Sequence, residues 1–380
     1  MEEELLMIPG PVPVLPRILA AMSKPMIYHR GDEFGQLYEE IEETLKEIYQ
    51  TRNDLFVLSG SGTCAMESAL SSLISNETGI VCVENGKFGA RFWSIAERYS
   101  ANAVTTVNFA WGSPIDLEAV KEALECNPDV VTLVHNETST GILNPAKEVG
   151  KLAKKHGAVF VLDCVTSIGG DEVPVDAFGA DIAIVGSQKC LGAPPGMSAI
   201  SVSEHAWDLM LENKKRPYYM DLVAYKNSFK KRQTPYTPAL PLFFALREAL
   251  AVIREEGMAK RIKRHRMLSK AVRSAVTSFG LSLFPELNAV SDYSNTVTAI
   301  TIPPELTDER LRGGMREKGI LIAGGQEKLK GKIVRIATMG NITDKEVLMT
   351  IETLERVLIA NAFIDVGAKG VEEAKSALFS

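Results

Sequence analysis

The sequence predicts an α/β protein, with a mostly parallel seven-stranded sheet in a large domain and a smaller α/β C-terminal domain. Three observations carry that expectation. Short apolar runs of strand length alternate with stretches of helical periodicity from residue 55 to residue 202. A second pattern of strands and helices begins near residue 281. The chain has 380 residues, 46% apolar and 24% charged, ordinary for a globular protein and enough for one large core plus a smaller one.

Taken in order, residues 1–16 carry Pro9, Pro11, Pro13 and Pro16 and read as an extended arm. A helix is predicted from Asp32 to Tyr49, with an apolar stripe at Phe34, Leu37, Tyr38, Ile41, Leu45 and Ile48. The strand candidates are Leu55–Leu58, Ile80–Val83, Ala103–Val107, Val130–His135, Val159–Asp163, Asp181–Val185 and Met197–Val202. Helices fit between them at Lys87–Tyr99, Asp116–Glu125 and Ala146–His156, the alternation of a parallel sheet covered on both faces. Glu204–Leu211, Pro241–Glu256 and the basic stretch Arg261–Phe279 read as further helices. Beyond them lie two strands, a helix at Thr307–Lys318, strands around Ile320 and Val334, and a helix at Asp344–Ala360. The large domain is set at residues 17–260 and the small one at 261–380.

Several classes drop out on composition. A net charge of −6 without a basic stripe excludes nucleic acid as partner. No apolar run reaches the ~18 residues of a membrane span. The acidic start Met1-Glu2-Glu3-Glu4 is unlike a secretory signal, and Ser376 to Ser380 is not a peroxisomal address. Cys64, Cys82, Cys126, Cys164 and Cys190 are scattered, which suits a reducing cytoplasm and argues against zinc.

Ligands of such sheets bind at the carboxyl ends of strands, so each strand end is informative. The first ends in Ser59-Gly60-Ser61-Gly62-Thr63 before a helical stretch from Cys64, where free N–H groups and close backbone approach suit a phosphate. The same residues fit G-x-G-x-x-A, with Glu84 ending the next strand, so a dinucleotide-dependent dehydrogenase is a rival. Phe88 follows the second strand and is either a flat surface for an aromatic ring or a core anchor. His135 to Gly141 is a cluster of hydrogen-bonding side chains on a turn. Asp163 closes a wholly apolar strand and needs a partner there, such as a cap, a salt bridge or a cationic ring nitrogen. Lys189 lies between the apolar run Ala180–Val185 and the rigid loop Cys190 to Gly196. A desolvated amine in that place loses its proton easily and can form a Schiff base, whereas a snorkelling lysine would merely reach water. Phosphate nest, aromatic plate, aspartate and lysine together meet the needs of pyridoxal 5'-phosphate. A dinucleotide needs neither the lysine nor Asp163.

These residues resemble the class V aminotransferases of fold type I, in the alanine–glyoxylate and serine–pyruvate branch. The matching segments are Pro9-Gly10-Pro11, His29-Arg30, Ser59 to Met66, Asn85 to Arg91, His135 to Gly141, Asp163 to Gly170, Gly186 to Gly196, Thr237 through Arg247 and Arg335-Ile336. The resemblance implies the pyridoxal-phosphate transferase fold and a homodimer with active sites shared between subunits. It implies Lys189 as the Schiff-base lysine and Asp163 as partner of the pyridine nitrogen. Phe88 and Val165 would lie on the two ring faces, Ser61, Gly62, Thr63 and Gln188 on the phosphate, and Thr138 near the phenolic oxygen. Thr237 would reach the partner subunit's phosphate. Relatives often carry a tyrosine three residues before it, where this chain has Thr234, with Tyr236 nearby. Arg335 would clamp the substrate α-carboxylate through its planar fork, and the small residue Gly10 would suit a small substrate. The implied reaction is ping-pong transfer of an amino group from alanine or serine to glyoxylate or pyruvate. Aspartate–2-oxoglutarate transamination is the alternative; it needs a second cation, for which Arg30, His29 and arginines of the partner subunit are candidates. Cysteine desulfuration lacks its cysteine, since none follows Cys190.

Overall fold

The computed structural model describes residues 4–100, 102–367 and 369–379. Met1 to Glu3 of the acidic start and the terminal Ser380 lie outside the described residues. The central sheet has seven strands in the spatial order Asp54–Ser59, Met197–Val202, Ile182–Gly186, Val159–Asp163, Val130–Val134, Ile80–Glu84, Thr105–Asn108. Met197–Val202 runs antiparallel to both neighbours, and the other pairings are parallel. All strands but that one therefore end on the same edge.

The apolar strands are continuous rather than alternating because both faces are buried. Val81, Val83, Val131, Leu133, Phe160 and Leu162 enter one core with helices Asp32–Tyr49 and Leu240–Glu256. Their neighbours Ile80, Cys82, Val130, Val159 and Val161 enter a second core with helix Gly62–Leu73. This is the period of two expressed on both faces of a parallel sheet.

Asp54–Ser59 is an edge strand, hydrogen-bonded only to the antiparallel Met197–Val202. The backbone N–H of Val57 donates to the Tyr38 hydroxyl at 3.2 Å, which caps part of the free edge. A dinucleotide fingerprint requires its strand to sit beside the next one in a parallel βαβ unit. Here four other strands lie between it and Ile80–Glu84, so the G-x-G-x-x-A match carries no dinucleotide fold.

A third buried cluster contains Leu268, Val272, Ile300, Leu311, Ile336, Ile351 and Leu378. It is built on a four-stranded sheet in the order Leu5–Met7, Ile320–Gly324, Ile333–Ala337, Val297–Thr301. Met7 belongs to this cluster, so the proline-rich arm starts as a strand paired in parallel with Ile320–Gly324. Pro16 is already helical, at the first position of Pro16–Ala21, where its missing N–H costs nothing. Helix Gly370–Phe379 completes the cluster. No helix among the described residues is long and apolar enough to cross a membrane.

Candidate active site

The strand edge opens into a cavity. Ser61, Gly62, Thr63, Phe88, Thr138, Asp163, Val165, Gln188 and Lys189 all line it. Each comes from a strand end or the turn beyond it, since a parallel sheet gathers such turns on one side.

Ser61 is the N-cap of helix Gly62–Leu73 and spends no side-chain bond on it. The first N–H groups of that helix face the cavity's end with the positive pole of the peptide dipoles, a setting for an anion. A Cβ on Gly62 would lie 2.8 Å from Val165 Cγ2, so only glycine lets Val165 reach over the cavity floor. Gln188 Oε1 is buried without a partner among the described residues. An anion-binding helix end, an aromatic ring, a buried carboxylate, an amine and an unspent amide fit the groups of pyridoxal phosphate.

Asp163 accepts the Val165 N–H at 2.7 Å and is only 4% exposed. Burial pushes its carboxyl up to about 6, against the Val165 hydrogen bond, Arg91 and Lys189, which favour the anion. Burial also draws the Lys189 ammonium down to about 8, offset by Cys190 and Asp163 and reinforced by Arg335 and Arg91. Lys189 Nζ donates to the Pro9 carbonyl. Gly10 packs on the same side chain, since a Cβ there would lie 2.6 Å from Nζ. Gly10 thus touches the lysine and is not part of the cavity lining.

Arg335 also stands outside the lining. It is 4% exposed, on strand Ile333–Ala337, and donates to Gly324 O at 2.8 and 3.1 Å and to Thr138 O at 2.9 Å. Burial lowers its guanidinium to about 10, while Glu137 pulls it back up. It is therefore neither exposed nor ordinary, but a buried cation bonded to carbonyls. Thr237 is exposed and does not reach this cavity. Thr234 is buried and its hydroxyl donates to Tyr236 O at 2.6 Å, while the Tyr236 hydroxyl donates to Tyr218 O. Neither completes the cavity of its own chain. Arg30 is spent on Gln233 Oε1, Thr234 O and Pro235 O at 3.0–3.1 Å.

Arg91, Asn136 and Thr166 line the cavity too, although the sequence reading assigned them no role. Arg91 donates to Thr63 Oγ1 at 2.9 Å, and its guanidinium carbon lies 4.7 Å from the centroid of the Phe88 ring. Its signal was legible, for it follows Phe88 by one helical turn. Asn136 and Thr166 are joined by the Asn136 side chain donating to Thr166 O at 3.0 Å, a pairing across turns that spacing does not show. Among the described residues no cluster of histidine, cysteine, aspartate or glutamate could hold a metal ion.

The aminotransferase class-V family profile matches residues 17–347. An uncharacterised aminotransferase of Methanocaldococcus jannaschii is 44% identical over 381 residues, covering 99% of this chain and 98% of its own. Alanine–glyoxylate aminotransferase of Oryctolagus cuniculus is 35% identical over 345 residues, 88% of this chain and 87% of that one. The crystal structure of ureidoglycine–glyoxylate aminotransferase from Bacillus subtilis superposes with a TM-score of 0.92 at 32% identity, covering 100% of this chain and 99% of that one.

Proposed function

The chain belongs to the class-V aminotransferase family and is an aminotransferase, and on that footing we propose that it moves an amino group from alanine or serine to glyoxylate or pyruvate with pyridoxal phosphate bound at Lys189. The observation that carries the reading is a desolvated lysine amine in one cavity with a buried aspartate, an aromatic ring and an open helix N-terminus. Both the rabbit and the Bacillus subtilis relatives are glyoxylate aminotransferases, which supports glyoxylate as an acceptor here.

When bound, pyridoxal phosphate supplies an aldehyde to carry the amino group and a ring that takes up the electron pair left when Cα loses its proton. Lys189 is the base and acid of that proton transfer, because its amine is neutral well below the usual lysine range. Asp163, as a carboxylate, would favour positive charge on the ring nitrogen, and Phe88 and Val165 would pack on the two faces of the ring. The amides and hydroxyls of Ser61, Gly62 and Thr63, with Gln188, hold the phosphate. Thr138 would donate to the phenolic oxygen, and Arg335 would receive the substrate carboxylate. Thr237, which is exposed, would reach the partner subunit's phosphate in a homodimer. A cytoplasmic setting is supported by cysteines that are all unpaired. Arg30 is already committed to Gln233, Thr234 and Pro235, which removes one of the candidate cations for aspartate.

A visible spectrum tests this directly. Wild-type protein with pyridoxal phosphate is expected to absorb in the visible and to bleach when alanine or serine is added. Lys189→Ala should lose the band and slow transamination by about 10²–10⁴-fold or more. Transamination at the wild-type rate in that variant, or bleaching by aspartate in preference to alanine, would overturn the assignment.

A further inference from the structure

Glu137 has no role in the chemistry above, yet it is wholly buried and carries four hydrogen bonds. Its Oε2 accepts the N–H of Phe88 at 2.9 Å and of Gly89 at 3.1 Å. Its Oε1 accepts the N–H of Ser139 at 3.1 Å and the Ser139 hydroxyl at 2.5 Å. The same hydroxyl oxygen accepts the N–H of Lys87 at 2.9 Å. Helix Lys87–Tyr99 has Gly86 as N-cap, with no side chain of its own to offer. Its first three N–H groups are instead satisfied by a turn 50 residues away in the chain, at the Asn136–Glu137 strand. Gly86 permits this, because a Cβ there would overlap the Glu137 side chain.

The other side of the turn faces Arg335. Thr138 O accepts from Arg335 Nη1 at 2.9 Å, and among the described residues Arg335 has no carboxylate in ion-pair range. Thr138 is the residue next to Glu137, whose carboxyl burial pushes up while the Ser139, Gly89 and Phe88 hydrogen bonds favour its anion. One carboxylate thus fixes the backbone under the aromatic ring and the turn whose Thr138 carbonyl holds the guanidinium.

Resting on the reading above of a pyridoxal-phosphate site, we infer that Glu137 is a positioning residue that holds the Phe88 plate and the Arg335 fork in one network. A bare structural carboxylate would matter only through stability. A positioning one acts on cofactor affinity through Phe88 and on substrate through Arg335, and the two effects separate.

The experiment titrates wild type, Glu137→Gln and Ser139→Ala with pyridoxal phosphate and then measures kcat/KM for alanine at saturating cofactor. Glu137→Gln keeps the shape but places amide hydrogens against N–H donors. It should raise the dissociation constant for pyridoxal phosphate about tenfold or more and lower kcat/KM for alanine by a similar factor. In an Arg335→Gln background the cofactor effect should persist, while the effect on alanine disappears. Ser139→Ala keeps the carboxylate and removes the hydroxyl that bonds both Glu137 Oε1 and the Lys87 N–H, so it should weaken cofactor binding by about threefold and leave KM for alanine unchanged; it serves as the test if Glu137→Gln does not fold. Unchanged cofactor affinity in the variant that folds, or an equal loss on alanine with and without Arg335, would overturn the inference. If wild type itself shows no visible band, the failure belongs to the site reading beneath it.

Discussion

At the scale of single residues the site stores a conflict. Asp163 is buried where a charge is costly, and its carboxyl sits near 6 rather than 3.8. The folded protein therefore binds this proton more tightly than the unfolded chain, so Asp163's contribution to stability is fully present below pH 3.8 and is lost as pH rises through 6. The shift corresponds to about 3 kcal/mol against the cofactor-free protein at neutral pH. Asp163→Asn should raise the Tm of the cofactor-free protein at pH 7, flatten its dependence between those values and abolish transamination. An unchanged Tm would mean that burial is compensated by the neighbouring cations. Lys189 carries the mirror-image strain: a neutral amine is favoured in the fold, so capture of pyridoxal phosphate should accelerate up to about pH 8 and then level off. Stopped-flow absorbance reads that profile directly, and a rate still climbing towards pH 10 would contradict it.

Elements deliver these residues, and their ends matter more than their lengths. Helix Gly62–Leu73 begins at the cavity because Ser59 closes an edge strand and Gly62 allows the turn to press against Val165. Gly62→Ala would drive a methyl into Val165 Cγ2, an overpacking that costs about 1–3 kcal/mol. Expected is a loss of pyridoxal phosphate affinity of about tenfold, recovered by adding Val165→Ala, which removes the opposing methyls. Failure of the second substitution to restore binding would place the damage in the helix N-terminus instead. Helix Lys87–Tyr99 shows the same dependence on distant partners, since its first turn is capped by Glu137 and Ser139 rather than by a neighbour in sequence.

At the scale of the whole molecule, Arg261 ties the loops after Asp163 and Lys189 to the helix that leads into the C-terminal sheet. Fully buried, it donates to Gly169 O at 3.0 Å, to Cys190 O at 2.7 Å and to Glu256 Oε2 at 2.7 Å. Gly169 follows Asp163 in its loop and Cys190 follows Lys189, so one guanidinium fastens both. Arg261→Met should destabilise the protein by about 3–5 kcal/mol, because two buried carbonyls and part of a carboxylate lose their donor. Urea denaturation would register the loss as a lower midpoint with an unchanged slope. A shift within ~0.5 kcal/mol would show that Arg264, which also holds Glu256 at 2.7 Å, carries the junction alone.

The sequence by itself determined the layered α/β architecture, because the apolar runs from Leu55 to Val202 have strand length and both of their faces are apolar. It also singled out Lys189, Asp163 and Phe88, since each is a polar or planar residue placed where an apolar strand ends. Local chemistry of that kind is carried by neighbours in the chain and can be read there. The tertiary structure decided what depends on neighbours in space. It placed Asp54–Ser59 at the sheet edge, which removes the dinucleotide reading of the glycine-rich turn. It joined Leu5–Met7 to a sheet more than 300 residues further on, a pairing that three residues cannot announce. It made Glu137, an unremarked member of a polar turn, the cap of a helix that begins at Lys87. Burial and pairing are properties of the assembled core, and no spacing along the chain encodes them.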